Sequence, residues 1–286
     1  MITGIDGITV GNWTDENAAT GCTVVIFPEG TIASGEIRGG APASRDFALL
    51  HPDRMINRID SVVLSGGSAF GLSACTGVME FLEERGQGFP TAAGPVPIVV
   101  GMSLFDLNEG EPKKRPGAEE GKEAARSASS EKTDLGLVGA GTGATISKWK
   151  GRENAQPGGL GGAICRSGDL IVATLFAVNA SGDIDDGSSS QSIADETFKF
   201  PEVLPFENTT IGVVVTNARL SKGECFLVSQ SAHDGFAKAL FPSHTESDGD
   251  AAVVAATGQV DANLGTVRLL TTVAVEKAIR SVGIQP

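Results

Sequence analysis

Short runs of β-branched and aliphatic residues, many bordered by glycine, recur along the whole chain. Residues 22–27 (CTVVIF), 59–64 (IDSVVL), 97–100 (PIVV), 169–178 (DLIVATLFAV), 210–216 (TIGVVVT) and 251–256 (AAVVAA) have the length and composition of strands. Glycine at their ends meets the need for tight turns and close backbone approach. The sequence holds 38 glycines and neither a collagen period nor a low-complexity tract to account for them. Such a chain has to pair strands. Residues 31–37 (TIASGEI) are predicted to form a hairpin with 22–27, and 158–166 (GGLGGAICR) to pair with 169–178.

Helical patterns lie between the strand groups. Leu72, Cys75, Val78, Met79 and Leu82 are spaced for a helix ending near Arg85. Ser221 followed by Glu224 is a capping-box pattern that opens a helix over 221–240, and a terminal helix is expected near 265–281. Strands and helices in this order predict an α/β or α+β sandwich, taken as one domain over 1–286. Residues 109–133 differ: they are charged, contain proline and are nearly free of large apolar side chains. They are expected to be an exposed, flexible insertion with room for one helical turn, and not a domain boundary.

Composition removes several functions. Lys plus Arg is 22 against 35 Asp plus Glu, a net charge of -13, which is the wrong sign for a nucleic-acid footprint. No run approaches the roughly 20 apolar residues of a membrane helix, and the N-terminus lacks a signal-peptide pattern, so a cytoplasmic protein is expected. Cys22, Cys75, Cys165 and Cys225 are far apart and form no CxxC pair, which suits buried reduced thiols. His51, His233 and His244 are too scattered to suggest a zinc site.

Three patterns could carry chemistry. The glycine-rich segments 66–71 and 139–143 lack the spacing of a dinucleotide fingerprint or P-loop, and close-packed backbone is the simpler reading. A backbone oxyanion hole from Gly66-Gly67 stays open. No GxSxG elbow supports a serine triad. The third pattern is Asn208-Thr209-Thr210, set between the Pro201–Pro205 segment and the apolar run 210–216. A hydroxyl there can attack the preceding carbonyl, turn the amide into an ester, and leave Thr209 as a new N-terminus after hydrolysis. An α-amine titrates near ~7.7–8.0 and can take the hydroxyl proton of its own residue. Read alone, a Thr-Thr pair at a strand start is usually a solvated strand end, so the chemistry needs the surrounding residues to support it.

The stretch ENTTIGVVVTNARLS (207–221), with HDG (233–235) and PSHTESDGD (242–250), resembles the DmpA-like family. That family holds L-aminopeptidase/D-Ala-esterases, β-peptidyl aminopeptidases and nylon-oligomer hydrolases. The resemblance extends to TGCTVV (20–25), RGGAP (38–42), LSGGSAFGL (64–72), GAGTGA (139–144) and VNASGD (178–183), and it is weakest over 109–133. It implies a four-layered α/β/β/α sandwich of the DmpA/ornithine-acetyltransferase type.

It further implies a precursor cut between Asn208 and Thr209 into 1–208 and 209–286, with Thr209 as nucleophile. Lys148 matches the family lysine, whose ammonium would favour a neutral α-amine. Asn179 matches the asparagine that supports the oxyanion. Asp248 and Asp250 match the paired acids beside the nucleophile. Phe70 stands where a nylon-oligomer hydrolase has Tyr, which puts the substrate in doubt. The resemblance implies no metal or cofactor, a small peptide or amide substrate, and a homo-oligomer such as a tetramer. Peptide release and aminohexanoate-oligomer cleavage stay open, as does acyl transfer of the ornithine-acetyltransferase kind. So does an uncleaved, non-enzymatic binding protein.

Overall fold

A computed structural model describes residues 1–195, 197 and 208–283. The Pro201–Pro205 segment and Glu207 lie outside the described residues. In chain order the sheet strands are β1 (Thr9–Asp15), β2 (Thr20–Ile26), β3 (Ile32–Ile37), β4 (Ala43–Arg45), β5 (Ser61–Ser65) and β6 (Val99–Ser103). They are followed by β7 (Gly159–Ser167), β8 (Leu170–Asn179), β9 (Thr209–Ala218) and β10 (Ala251–Val260). The helices are α1 (Ala74–Glu84), α2 (Ala118–Arg126), α3 (Ser188–Ala194), α4 (Lys222–Ala239) and α5 (Leu264–Arg280).

Two five-stranded sheets form the centre, one ordered β1-β2-β5-β6-β4 and the other β7-β8-β9-β10-β3. Aliphatic side chains from both sheets fill the space between them, among them Val25, Val62, Leu64, Val100, Leu175, Ile211, Val213 and Val253. The opposite faces are covered by helices. Cys22, Val24 and Val63 of the first sheet pack on Ala74, Val78 and Leu82 of α1 and on Ala124 and Ala125 of α2. Val172, Phe176, Val214 and Val254 of the second sheet pack on Val228 and Phe236 of α4 and on Val267 and Val275 of α5. The result is the α/β/β/α layering expected from the resemblance.

The second sheet is buried on both faces, which is why its central strands read as unbroken apolar runs rather than alternations. Strands β8 and β9 run antiparallel with Asn179 opposite Thr209, while β9 and β10 run parallel. This register puts the start of β9 at the end of β8. Helix α4 begins as its sequence says: the Ser221 side chain accepts from the Glu224 N–H while Glu224 reaches back to Ser221.

Two expectations need correction. Strand β3 does not form a hairpin with β2. It joins the far edge of the other sheet, opposite β10, and β2 pairs with β1 and β5. Pro28-Glu29-Gly30 is therefore the point at which the chain changes sheets. The 109–133 stretch is not simply an exposed insertion, for α2 lies within it and belongs to the outer helix layer. Small side chains replace large ones there: Gly121, Ala124 and Ala125 are buried, and α1 and α2 approach backbone to backbone. A Cβ on Gly77 would lie 1.7 Å from the Ala118 carbonyl oxygen.

Candidate active site

The register of β8 and β9 makes Thr209 the focus of a buried polar cluster. Thr209 is 4 % exposed and Thr210 is fully buried, so this strand start is enclosed and not solvated. The Thr209 hydroxyl contacts the carbonyl oxygen of Asn208, the residue before it. That same oxygen accepts the backbone N–H of Gly249 at 3.1 Å.

On the β8 side, Asn179 sits across the ladder from Thr209. Its amide orientation follows from its neighbours. Oδ1 accepts the Lys148 ammonium at 2.9 Å and the Thr145 N–H at 2.9 Å, and Nδ2 donates to the Phe105 carbonyl at 3.0 Å. Lys148 also donates to the Asn179 carbonyl at 3.3 Å. It is 4 % exposed, the opposite of a solvated surface lysine.

On the β10 side, the Asp248-Gly249-Asp250 segment closes the cluster. Both carboxylates are 1 % exposed. Asp250 accepts the Thr210 N–H at 2.7 Å, and Asp248 accepts the Ser181 N–H at 3.3 Å and the Thr245 hydroxyl at 2.6 Å. Burial, and then the Asp250 charge nearby, push the Asp248 carboxyl up to about 7. The structure thus brings Asn208, Thr209, Lys148, Asn179, Asp248 and Asp250 together from four separate parts of the chain.

Gly66, Gly67 and Phe70 stand apart from that cluster in their contacts. The Gly66 N–H donates to the Gly21 carbonyl, and the Gly67 N–H to Asp106 Oδ1 at 2.7 Å. A Cβ on Gly66 would lie 2.0 Å from Asp106 Oδ2, so the glycines admit a buried carboxylate to the loop. Burial raises the Asp106 carboxyl above its ordinary range, opposed by hydrogen bonds from Thr20 and Gly67. Phe70 is 59 % exposed, with the Arg115 guanidinium 3.9 Å over its ring.

Several groups escaped the sequence reading. His244 Nδ1 lies 2.9 Å from Asp250 Oδ2, His233 Nδ1 lies 3.3 Å from His244 Nε2, and His233 Nε2 lies 3.0 Å from the Glu36 carbonyl. A carbonyl only accepts, so His233 carries its proton on Nε2 and accepts from His244 Nε2. Burial, and next the His244 charge, push His233 down to about 3, in keeping with its neutral role. The sequence signal for this array was present in HDG and PSHTESDGD, but nothing in their spacing told which atoms meet.

A cavity of about 310 Å³ adjoins the cluster through Thr145. Leu137, Ala155 and Pro157 supply apolar wall, and Glu109 supplies a carboxylate that Arg152 holds at 2.6 Å. No helix among the described residues is long and apolar enough to cross a membrane.

Comparison with known proteins agrees with this geometry. A family model described as peptidase family S58 matches residues 1–283. An uncharacterized aminopeptidase of Mycobacterium leprae (strain TN) is 37 % identical over 294 residues, spanning 91 % of this chain and 79 % of that protein. The 6-aminohexanoate-oligomer endohydrolase of Kocuria sp. (strain KY2) is 28 % identical over 276 residues, spanning 89 % and 74 %. Among solved structures, the L-aminopeptidase D-Ala-esterase/amidase of Ochrobactrum anthropi superposes with a TM-score of 0.77 at 17 % identity, over 98 % of this chain and 85 % of that one. It is described as a variant of the Ntn hydrolase fold. A β-aminopeptidase of Burkholderia sp. gives 0.76 at 19 % identity, with the same coverage.

Proposed function

Because this chain belongs to peptidase family S58, a family of peptide-bond hydrolases, we propose that it cuts its own Asn208–Thr209 bond and then hydrolyses amides with the freed Thr209. The observation that carries this reading is the buried contact of the Thr209 hydroxyl with the Asn208 carbonyl, ringed by Lys148, Asn179, Asp248 and Asp250.

In the first stage, Thr209 Oγ bonds to the Asn208 carbonyl carbon and the C–N bond breaks. The hydroxyl proton passes to the departing nitrogen, which becomes the Thr209 α-amine. Water then hydrolyses the ester, leaving an Asn208 carboxylate and a free Thr209 hydroxyl. In the second stage the α-amine takes the Oγ proton as Oγ attacks a substrate carbonyl. Asp248 and Asp250, buried beside the strand start, would orient that amine, and the Lys148 ammonium would disfavour a second positive charge there. Asn179, held by Lys148, Thr145 and Phe105 across the ladder from Thr209, matches the family residue that supports the oxyanion, and we assign it that role toward the substrate.

The adjoining cavity suits short peptides, amino-acid amides or linear amino-acid oligomers: apolar walls for a chain and the Glu109 carboxylate for an ammonium. Intact mass and N-terminal sequencing of the purified protein test the first stage, and a panel of peptide, amide and aminohexanoate substrates tests the second. Thr209→Ala is expected to leave one full-length chain of 29.3 kDa without amide hydrolysis. Cleavage or turnover by that variant would show that another residue is the nucleophile.

A further inference from the structure

We propose that the backbone N–H of Gly249 is the oxyanion donor of the self-cleavage step, and that glycine stands at this position to leave room for the attacking hydroxyl. The proposal rests on the self-cutting reading and concerns how that first stage is catalysed.

When Thr209 Oγ adds to the Asn208 carbonyl carbon, the negative charge forms on the Asn208 carbonyl oxygen. The Gly249 N–H already points at that oxygen, 3.1 Å away, before any reaction takes place. The Thr209 hydroxyl touches the same oxygen, but that contact is lost once the hydroxyl gives up its proton and attacks. The Gly249 donor stays.

It also cannot swing away. The Asp248 carbonyl accepts the Ala41 N–H at 2.8 Å, and the Asp250 carbonyl accepts the Arg38 and Gly39 N–H groups at 3.0 and 3.2 Å. The Asp248 side chain is held by Thr245 and Ser181, and that of Asp250 by Thr210 and His244. A donor fixed on both sides needs no reorganisation as charge develops, which is the condition under which such a group accelerates acyl transfer most.

Glycine at 249 is required by space rather than by backbone conformation. Its φ is not in the left-handed region, unlike that of Gly67 or Gly139. A Cβ there would lie 2.6 Å from Thr209 Oγ1 and 3.2 Å from Thr209 Cγ2. Any side chain would press on the nucleophile itself. Self-cleavage and turnover then draw on different donors: Gly249 from the β10 side for the Asn208 oxygen, and Asn179 from the β8 side for the substrate.

The test replaces Gly249 by glycolate in the full chain, an ester in place of the amide that deletes the N–H and keeps the shape. Appearance of the 209–286 fragment is followed by gel and intact mass, beside wild type, Gly249→Ala and Thr209→Ala, with circular dichroism as the check on folding. The ester is expected to slow cleavage by about 10²–10³-fold. Gly249→Ala is expected to slow it by crowding Oγ, and Thr209→Ala to abolish it. A folded ester variant that cleaves at the wild-type rate overturns the role of Gly249 and leaves self-cutting intact. A wild-type chain that never breaks at Asn208–Thr209 overturns the self-cutting reading and this proposal with it.

Discussion

Asp248 is the residue at which pH acts on this site most directly. Its carboxyl titrates at about 7 in the folded protein against 3.8 for an ordinary aspartate, so the fold binds that proton more tightly than the unfolded chain does. The resulting stabilisation is complete below 3.8 and is lost as pH rises through about 7. His233 has the opposite sign: its base is pushed down to about 3 from 6.5, so its contribution is present above 6.5 and lost as pH falls. In a Thr209→Ala background, which is expected to keep the chain whole, Asp248→Asn is expected to flatten the fall in urea midpoint between about pH 5 and about pH 8. The absolute midpoint will also drop, because an amide cannot accept from Thr245 and Ser181 as a carboxylate does; the slope with pH is the deciding quantity. An equal slope in both proteins would show that Asp248 is ionised throughout. At this scale the sequence was legible only through resemblance. Thr209, Lys148, Asp248 and Asp250 each read alone as solvent-facing residues, and their burial is set by strands and loops far away in sequence.

Among the elements, the helix pair α1 and α2 shows where pattern reading succeeds and where it stops. Helix α1 announces itself by large apolar residues at helical spacing, and α4 by its capping box. Helix α2 has no large apolar stripe to detect, since its buried positions are Gly121, Ala124 and Ala125. Its packing depends on two glycines at the crossing: a Cβ on Gly77 would meet the Ala118 carbonyl oxygen at 1.7 Å, and one on Gly121 the Ala74 carbonyl oxygen at 2.1 Å. Gly77→Ala is therefore expected to destabilise by about 1–3 kcal/mol through overpacking, although alanine is the better helix former in isolation. Urea unfolding measures this, and a stabilised variant would mean that α2 can move away at little cost. The misread hairpin has a similar origin. Turn chemistry at Pro28-Glu29-Gly30 fixes that the chain bends, but not which sheet the next strand joins. That choice is made by β10, more than 200 residues later in the chain, which offers β3 its edge.

Across the whole molecule, the segment after the proposed cut supplies β9, β10, α4 and α5, and these do not form a separate body. In the second sheet β9 and β10 lie between β8 on one side and β3 on the other, both from the 1–208 segment. The two pieces of a cut molecule are accordingly expected to run as one species in native mass spectrometry and size exclusion, and to separate only in denaturant. Fragments that part under native conditions would contradict the interleaved sheet. Native mass reports at the same time how many such units assemble. The interleaving also sets the order of events. Thr209 meets Asn179 and the Asp248-Gly249-Asp250 turn only after both halves of the chain have docked, so the proposed backbone break would be a lasting mark that this particular molecule reached its native arrangement.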